Sequence, residues 1–270
     1  MPELPEVEIT RSGIEPFVLG KTITGVAVRN PNLRRRVPRN LGRLLVGKRV
    51  RRLLRRGKYL LFECDDGCLI VHLGMSGSLR IVEPRSVPRK HDHVDLVFSG
   101  SVLRLRDPRR FGLVLWSQGD ALRHPLLARL GVEPLSGEFS PEFLYRATRD
   151  RAVGIKQLLM NANVVVGVGN IYANESLFKA GVDPRVRAGR LSRARCGRLV
   201  TAVRETLLAA IAAGGSSLRD FVQADGASGY FQQNYCVYDR AALPCRVCGA
   251  AIRVARLGQR SSFYCSTCQR

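Results

Sequence analysis

Apolar and polar positions along the 270-residue chain change their spacing twice. From Pro5 to Val18 the apolar residues Val7, Ile9, Ile14, Phe17 and Val18 recur with polar residues between them. That spacing predicts an amphipathic helix ending before Gly20. From Lys21 to about Ser117 the pattern shortens to β-type runs: Thr22–Val28, Lys58–Glu63, Cys68–Leu73, Val94–Phe98 and Ser101–Leu105. Turn residues such as Asp65-Asp66-Gly67 and Ser99-Gly100 separate them, and short strands at this spacing predict a sandwich or a barrel. After Pro134 the pattern is helical again, with candidates at Pro141–Arg149, Gly154–Asn161, Ile171–Ala180, Leu191–Ala213 and the short Ser217–Gln223. The fold class is therefore α+β. The expected division is a β-rich domain over 2–134, a linker and domain entry over 135–150, a helical domain over 151–235 and a cysteine-rich unit over 236–270.

Charge narrows the choice of partner. Lys and Arg number 44 against 22 Asp and Glu, a formal net charge of +22. Such an excess suits a polyanion, with nucleic acid ahead of an acidic membrane surface. Arginine is common here and lysine rare, so a genome-wide bias contributes to the figure. With six lysines in all, Lys58 and Lys156 stand out. No signal-peptide pattern opens the chain, and no apolar run approaches the ~20 residues that span a bilayer. The expectation is a cytoplasmic protein without a membrane partner.

Eight cysteines in a reducing compartment read as metal ligands or buried thiols. Cys245-Arg246-Val247-Cys248, then sixteen residues, then Cys265-Ser266-Thr267-Cys268 has the spacing of two zinc knuckles. Four thiolates so placed close a tetrahedral shell, so the zinc is structural and stiffens the hairpin carrying Arg253, Arg256, Gln259 and Arg260. Two disulfides are the alternative, disfavoured without a secretory pattern. Cys64, Cys68, Cys196 and Cys236 read as structural thiols, His93 and His124 as surface or packing residues, and Trp116 as core.

Three further segments carry chemistry. Removal of Met1 would expose Pro2 as a secondary amine beside Glu3, and a free α-amine titrates near ~8. Attack on an aldehyde-type carbon gives an iminium with no N–H proton to lose, an electron sink for elimination at the next carbon. The ordinary reading is Pro in a first helical turn with glutamates at the positive helix end. If Pro2 does cap that helix, the same field lowers the amine pKa below that of a free terminus, while an ionised Glu3 opposes it. Second, Val166-Gly167-Val168-Gly169-Asn170 is a tight turn whose amides can hold a phosphate, or simply a helix connection. Third, Asp107-Pro108-Arg109-Arg110-Phe111-Gly112 and His72-Leu73-Gly74-Met75-Ser76-Gly77 pair apolar groups with arginine. Singly, Met75 and Phe111 are core residues; together with Arg109 they suit a wedge in a DNA duplex.

The Pro-Glu-Leu-Pro-Glu-Val-Glu start, Lys58, Asp107–Gly112, the Val-Gly-Val-Gly-Asn turn and the four-cysteine end together resemble bacterial formamidopyrimidine-DNA glycosylase, collinearly from Pro2 to the last residue. The resemblance implies a two-layer β-sandwich behind the N-terminal helix, a helix–two-turns–helix domain and a zinc-finger hairpin. It implies a bifunctional glycosylase and AP lyase that removes oxidised purines from duplex DNA by β,δ-elimination. Pro2 is then the nucleophile, Glu3 the acid/base, and Lys58 a lysine near the lesion. Arg260 grips the phosphates that flank the lesion. Met75, Arg109 and Phe111 fill the space of the flipped nucleotide, with Arg109 facing the orphan base. His91, Arg151 and Asn170 match positions that contact the DNA backbone. Segment 223–231 resembles the loop that closes over the everted base, with Ala227-Ser228 replacing the frequent Lys-Pro. Asn161 receives no role.

The expected state is a monomer with one structural Zn²⁺ and no organic cofactor. Two other readings compete: an endonuclease VIII-type enzyme for oxidised pyrimidines, and a zinc-stabilised DNA-binding protein without activity. Leu4, where the pyrimidine group tends to have Gly, and the Met75/Arg109/Phe111 arrangement favour the purine enzyme.

Overall fold

Period-two burial along short strands, and an apolar stripe on the first helix, account for the N-terminal half. The computed structural model describes residues 2–215 and 231–270; the expected Ser217–Gln223 helix and all but the last residue of the 223–231 loop lie outside them. Helix α1 spans Leu4–Val18 and buries Leu4, Val7, Ile14 and Val18. Strand β1 (Gly25–Val28) and the short helix α2 (Leu41–Leu45) follow. Then come β2 (Arg52–Arg56), β3 (Tyr59–Glu63), β4 (Gly67–His72), β5 (Ser78–Val82), β6 (Asp92–Phe98), β7 (Ser101–Arg106) and β8 (Leu113–Gln118).

These strands form two antiparallel four-stranded sheets, ordered β2-β3-β4-β8 and β1-β6-β7-β5. The alternative of a barrel is thereby settled as a sandwich. Inward-facing Leu60, Phe62, Leu69 and Val71 of one sheet share a core with Leu79, Val94, Leu96, Leu103 and Leu105 of the other. α1 contributes Val7, Ile14 and Val18 to that core and lies against β2, β3 and β5. Burial of each such aliphatic side chain stabilises by roughly 1.5–3 kcal/mol.

In the C-terminal half, α3 spans Pro141–Thr148, α4 Ile155–Leu159, α5 Asn170–Lys179 and α6 Arg193–Ala212. Ser140 caps α3, its hydroxyl accepting the Phe143 N–H at 3.0 Å. β9 (Arg253–Leu257) and β10 (Arg260–Tyr264) form an antiparallel hairpin, and β10 packs on α5. Described residues up to Ala128, with residues 213–215, make one compact unit, and Arg129–Ala212 with Phe231–Arg270 make the other. In the segment read as linker, 135–150, the chain folds α3 onto α6 within the second unit. Among the described residues no helix is long and apolar enough to cross a membrane.

Candidate functional site

The first unit holds Pro2, Glu3, Lys58, Met75, His91, Arg109 and Phe111; the second holds Arg151, Asn170, Arg260 and the four zinc-type cysteines. Pro2 immediately precedes Glu3, the N-cap of α1. Both residues are buried, and the Glu3 N–H donates to the Glu6 carboxylate at 2.9 Å. Glu6 is itself wholly buried, so the start of the helix is fixed from inside the unit.

Lys58 was expected at the head of a strand and lies instead in the turn between β2 and β3. Pairing of Arg56 with Tyr59 leaves Gly57 and Lys58 as a two-residue loop, with Gly57 at φ 57°. A left-handed first loop residue is what such tight hairpins need, and glycine supplies it. Arg55 holds this turn: its Nη1 donates to the Gly57 carbonyl at 3.0 Å and its Nε to Glu8 of α1 at 2.8 Å. One guanidinium therefore ties the Lys58 turn to the helix that begins beside Pro2. Nothing in the sequence pattern singled out Arg55 or Glu8.

Met75, Arg109 and Phe111, the residues expected to form a wedge, sit on two loops bound to each other by Asp107. This carboxylate is fully buried; its Oδ1 accepts the Ser76 hydroxyl at 3.0 Å and its Oδ2 the Gly112 N–H at 2.7 Å. Ser76 in turn accepts the Arg109 N–H at 3.2 Å. Backbone meets backbone at Gly74 (φ 66°), where a Cβ would stand 2.4 Å from the Phe111 carbonyl carbon. The Asp107 N–H donates to the His91 carbonyl at 3.0 Å, and His93 Nε2 bonds the Asp107 carbonyl at 2.8 Å. His93 is thus a packing residue, as read from the sequence. At the tips, the Arg109 guanidinium lies 5.2 Å over the Phe111 ring, and Phe111 stays 43% exposed. An aromatic ring held out of the core by a buried acid is built to meet something other than the core. Asp107 and Ser76 belong to the Asp107–Gly112 and His72–Gly77 segments, yet nothing in the sequence of either segment signals this role.

His72, at the end of β4, accepts the Gly74 N–H through Nδ1 at 2.9 Å. Burial, with Lys58 and Arg34 nearby, pushes its pKa down to about 4. The imidazole is neutral around pH 7 and serves as a fixed acceptor for the loop.

In the second unit, Gly169 is the N-cap of α5 and Asn170 its first residue. The Asn170 carboxamide oxygen is buried with no hydrogen-bond partner among the described residues, so the fold does not consume it. Asn174, one turn on, accepts the Phe263 N–H at 2.8 Å and so binds α5 to β10. Lys156 of α4 is almost completely buried and donates to the Ser261 carbonyl at 2.8 Å and Ser262 Oγ at 2.7 Å. These bonds hold the hairpin beside Arg260, which opens β10 and is exposed. Arg151 is exposed in the stretch ahead of α4.

The cysteines meet the metal test. Cys248 Sγ lies 3.4 Å from Cys265 Sγ and Cys245 Sγ 3.9 Å from Cys268 Sγ, and all four fall within 4.8 Å of one another. Thiolates about 2.3 Å from a tetrahedral zinc stand about 3.8 Å apart. No disulfide joins them. The Cys265 N–H donates to Gln269 Oε1 at 2.9 Å, and Gln269 Nε2 donates to the Val182 carbonyl, which anchors the second knuckle. The four side chains hold one structural zinc. Cys64 and Cys68, whose thiols burial pushes up to about 11 and about 12, are inert by comparison.

A β-sandwich behind an N-terminal helix, a helical unit and a four-thiolate hairpin define a two-unit α+β protein with a zinc finger. Three family profiles cover the chain: Formamidopyrimidine-DNA glycosylase N-terminal domain over residues 1–114, Formamidopyrimidine-DNA glycosylase H2TH domain over 130–222, and Zinc finger found in FPG and IleRS over 242–270. The chain belongs to the formamidopyrimidine-DNA glycosylase family. It is 59% identical to the formamidopyrimidine-DNA glycosylase of Paraburkholderia phymatum over the full length of both. Its structure matches the MutM (Fpg) protein of Thermus thermophilus with a TM-score of 0.90 at 40% identity, covering 99% of this chain and 98% of that one. A Lactococcus lactis Fpg variant in complex with DNA containing Fapy-dG matches with a TM-score of 0.93 at 32% identity, over 100% of both chains.

Proposed function

We propose that this protein is a bifunctional DNA glycosylase and AP lyase that excises oxidised purines, such as 8-oxoguanine and formamidopyrimidines, from duplex DNA. The observation that carries the reading is the Arg55 bridge, which holds the Lys58 turn to the helix begun by Pro2 and Glu3. Full-length identity of 59% to a named glycosylase and the match to an Fpg bound to Fapy-dG DNA support the substrate class.

In this scheme Met1 is removed and the Pro2 nitrogen attacks C1′ of the damaged nucleotide. The C1′–N bond breaks, its electron pair leaves on the base, and Glu3 assists the proton transfers and opening of the sugar ring. The resulting iminium withdraws electrons from C2′, so loss of a 2′ proton expels the 3′ phosphate and a second elimination expels the 5′ phosphate. Lys58 acts beside the lesion, and Arg260 grips the flanking phosphates. Met75, Arg109 and Phe111 occupy the vacated stack, where the Arg109 donors meet the acceptor edge of cytosine. His91, Arg151 and Asn170 hold backbone phosphates. Zinc keeps the hairpin folded and takes no part in bond making. The protein works as a monomer without a membrane partner, in the bacterial cytoplasm where its nucleoid DNA lies.

Borohydride trapping on a duplex with 8-oxoguanine opposite cytosine, run beside a thymine-glycol duplex, tests this. The expected result is a covalent adduct mapped to Pro2, preferentially on the purine lesion. Preference for thymine glycol would move the protein to the pyrimidine branch. No adduct on either, from zinc-loaded protein lacking Met1, would leave a non-catalytic DNA-binding protein.

A further inference from the structure

Outside the site described above, the face of the β1-β6-β7-β5 sheet turned away from the core carries a cluster of arginines. An open cavity of about 180 Å³ on this face is lined by Arg80 of β5, Arg104 and Arg106 of β7, Arg89, Ser86 and Asp92. Two acids there are already committed. Asp95 takes a double hydrogen bond from Arg104 at 3.0 and 2.9 Å and an ion pair from Arg29 at 2.5 Å. Asp92 accepts the Arg89 N–H at 2.7 Å and stands 3.7 Å from Arg104 Nη1. Arg104 completes its own bonding on the Ser86 carbonyl.

That leaves Arg80, Arg89 and Arg106, none of which makes an ion pair among the described residues. Arg80 Nε is buried and has no hydrogen-bond partner. Burial and the charges of Arg106 and Arg89 push the Arg80 pKa down, and the opposing pull of Asp92 does not offset them. A buried guanidinium N–H left unmet is costly, and an oxyanion in the cavity would satisfy it.

The position of the cavity names the anion. Arg106 pairs in register with Asp92 and with Ser78, at the end of the sheet from which the wedge loops leave. Arg106 is the residue before Asp107 of one wedge loop, and Ser78, its partner on β5, follows Gly77 of the other, so the strand ends at the cavity rim continue into both loops. We propose that this arginine pocket receives a backbone phosphate of the DNA duplex beyond the lesion, extending the protein's footprint along one arm. The inference rests on the DNA-repair reading of the wedge loops. Arg104, locked by Asp95, forms the rigid wall; Arg80, Arg89 and Arg106 supply the donors.

The test compares the parent with Arg80→Gln/Arg106→Gln and with Arg106→Gln alone, on a long duplex and on one trimmed close to an abasic-site analogue. Loss of one phosphate contact lowers the slope of log affinity against log salt by ~0.9, and affinity for the long duplex should fall about 3- to 10-fold. The trimmed duplex should show neither change, and the thermal midpoint of Arg106→Gln should match the parent. Equal slopes and affinities on the long duplex would overturn the proposal. Stabilisation of the parent but not the variant by inorganic phosphate, with DNA binding unaltered, would overturn it in favour of a free-anion site. Trapping of the parent on 8-oxoguanine, measured separately, tells failure of the pocket from failure of the repair reading.

Discussion

At the scale of single residues, His72 links the chemistry of one ring to the shape of the wedge. Its Nδ1 holds the Gly74 amide only while unprotonated, because an imidazolium has no acceptor. The folded pKa, about 4, lies below the ordinary 6.5. The stability it contributes is therefore complete above about pH 6.5 and is lost as the pH falls from there toward 4, where the unfolded chain takes up a proton that the folded one refuses. We expect the thermal midpoint to drop across that window with a one-proton dependence, and His72→Gln, which keeps an acceptor, to remove that component. A variant that tracks the parent throughout the window would show that His72 stays neutral for no energetic reason. Asp107 works in the same local way, since one acid serves Ser76 and Gly112 with its carboxylate and His91 and His93 with its backbone.

Between elements, the two wedge loops depend on the absence of a side chain. Gly74→Ala places a methyl 2.4 Å from the Phe111 carbonyl carbon, whereas Gly47→Ala meets nothing within 4 Å. Both glycines have positive φ, so both substitutions carry a backbone cost of about 1 kcal/mol. Only Gly74→Ala must also push the loops apart. Its destabilisation should exceed that of Gly47→Ala by roughly 1–3 kcal/mol, by analogy with overpacked cores. Capture of a lesion duplex should weaken with it. Equal losses in the two variants, read from urea unfolding, would mean that the loops give way freely. The same contrast explains what the sequence could tell. The spacing of Val7, Ile14 and Val18 announced α1, and alternation in Val94–Phe98 announced β6. β2, with three arginines in five residues, carries too little apolar pattern to be seen alone. The cysteines and Pro2 were legible because their chemistry depends on spacing or position. Asp107–Ser76 and Lys156–Ser262 were not, because those partners lie 31 and 106 residues apart and meet only after folding.

For the molecule as a whole, the sandwich and the zinc hairpin rest on different sources of stability. The sandwich core draws on both sheets, α1 and α2, and Trp116, the chain's single tryptophan, packs against it. Around the hairpin the buried apolar group is small: Phe178, Val237, Ile252 and two of the zinc-binding cysteines. A core of that size does not hold a hairpin in water without help, so the metal supplies what apolar burial cannot. Chelation should therefore act on one unit only. Removing zinc ought to release the β9–β10 hairpin, free four titratable thiols and abolish tight binding to a lesion duplex, because Arg260 loses its support. Tryptophan emission should stay where it was, since Trp116 reports the sandwich. The measurement is a chelator titration followed by thiol count, DNA affinity and emission maximum on the same sample. If emission shifts in step with thiol release, the sandwich is not independent of the metal. If DNA affinity survives full release of the thiols, Arg260 does not need the hairpin. Recovery of affinity on returning zinc, with emission constant throughout, is the outcome that the division of the core predicts.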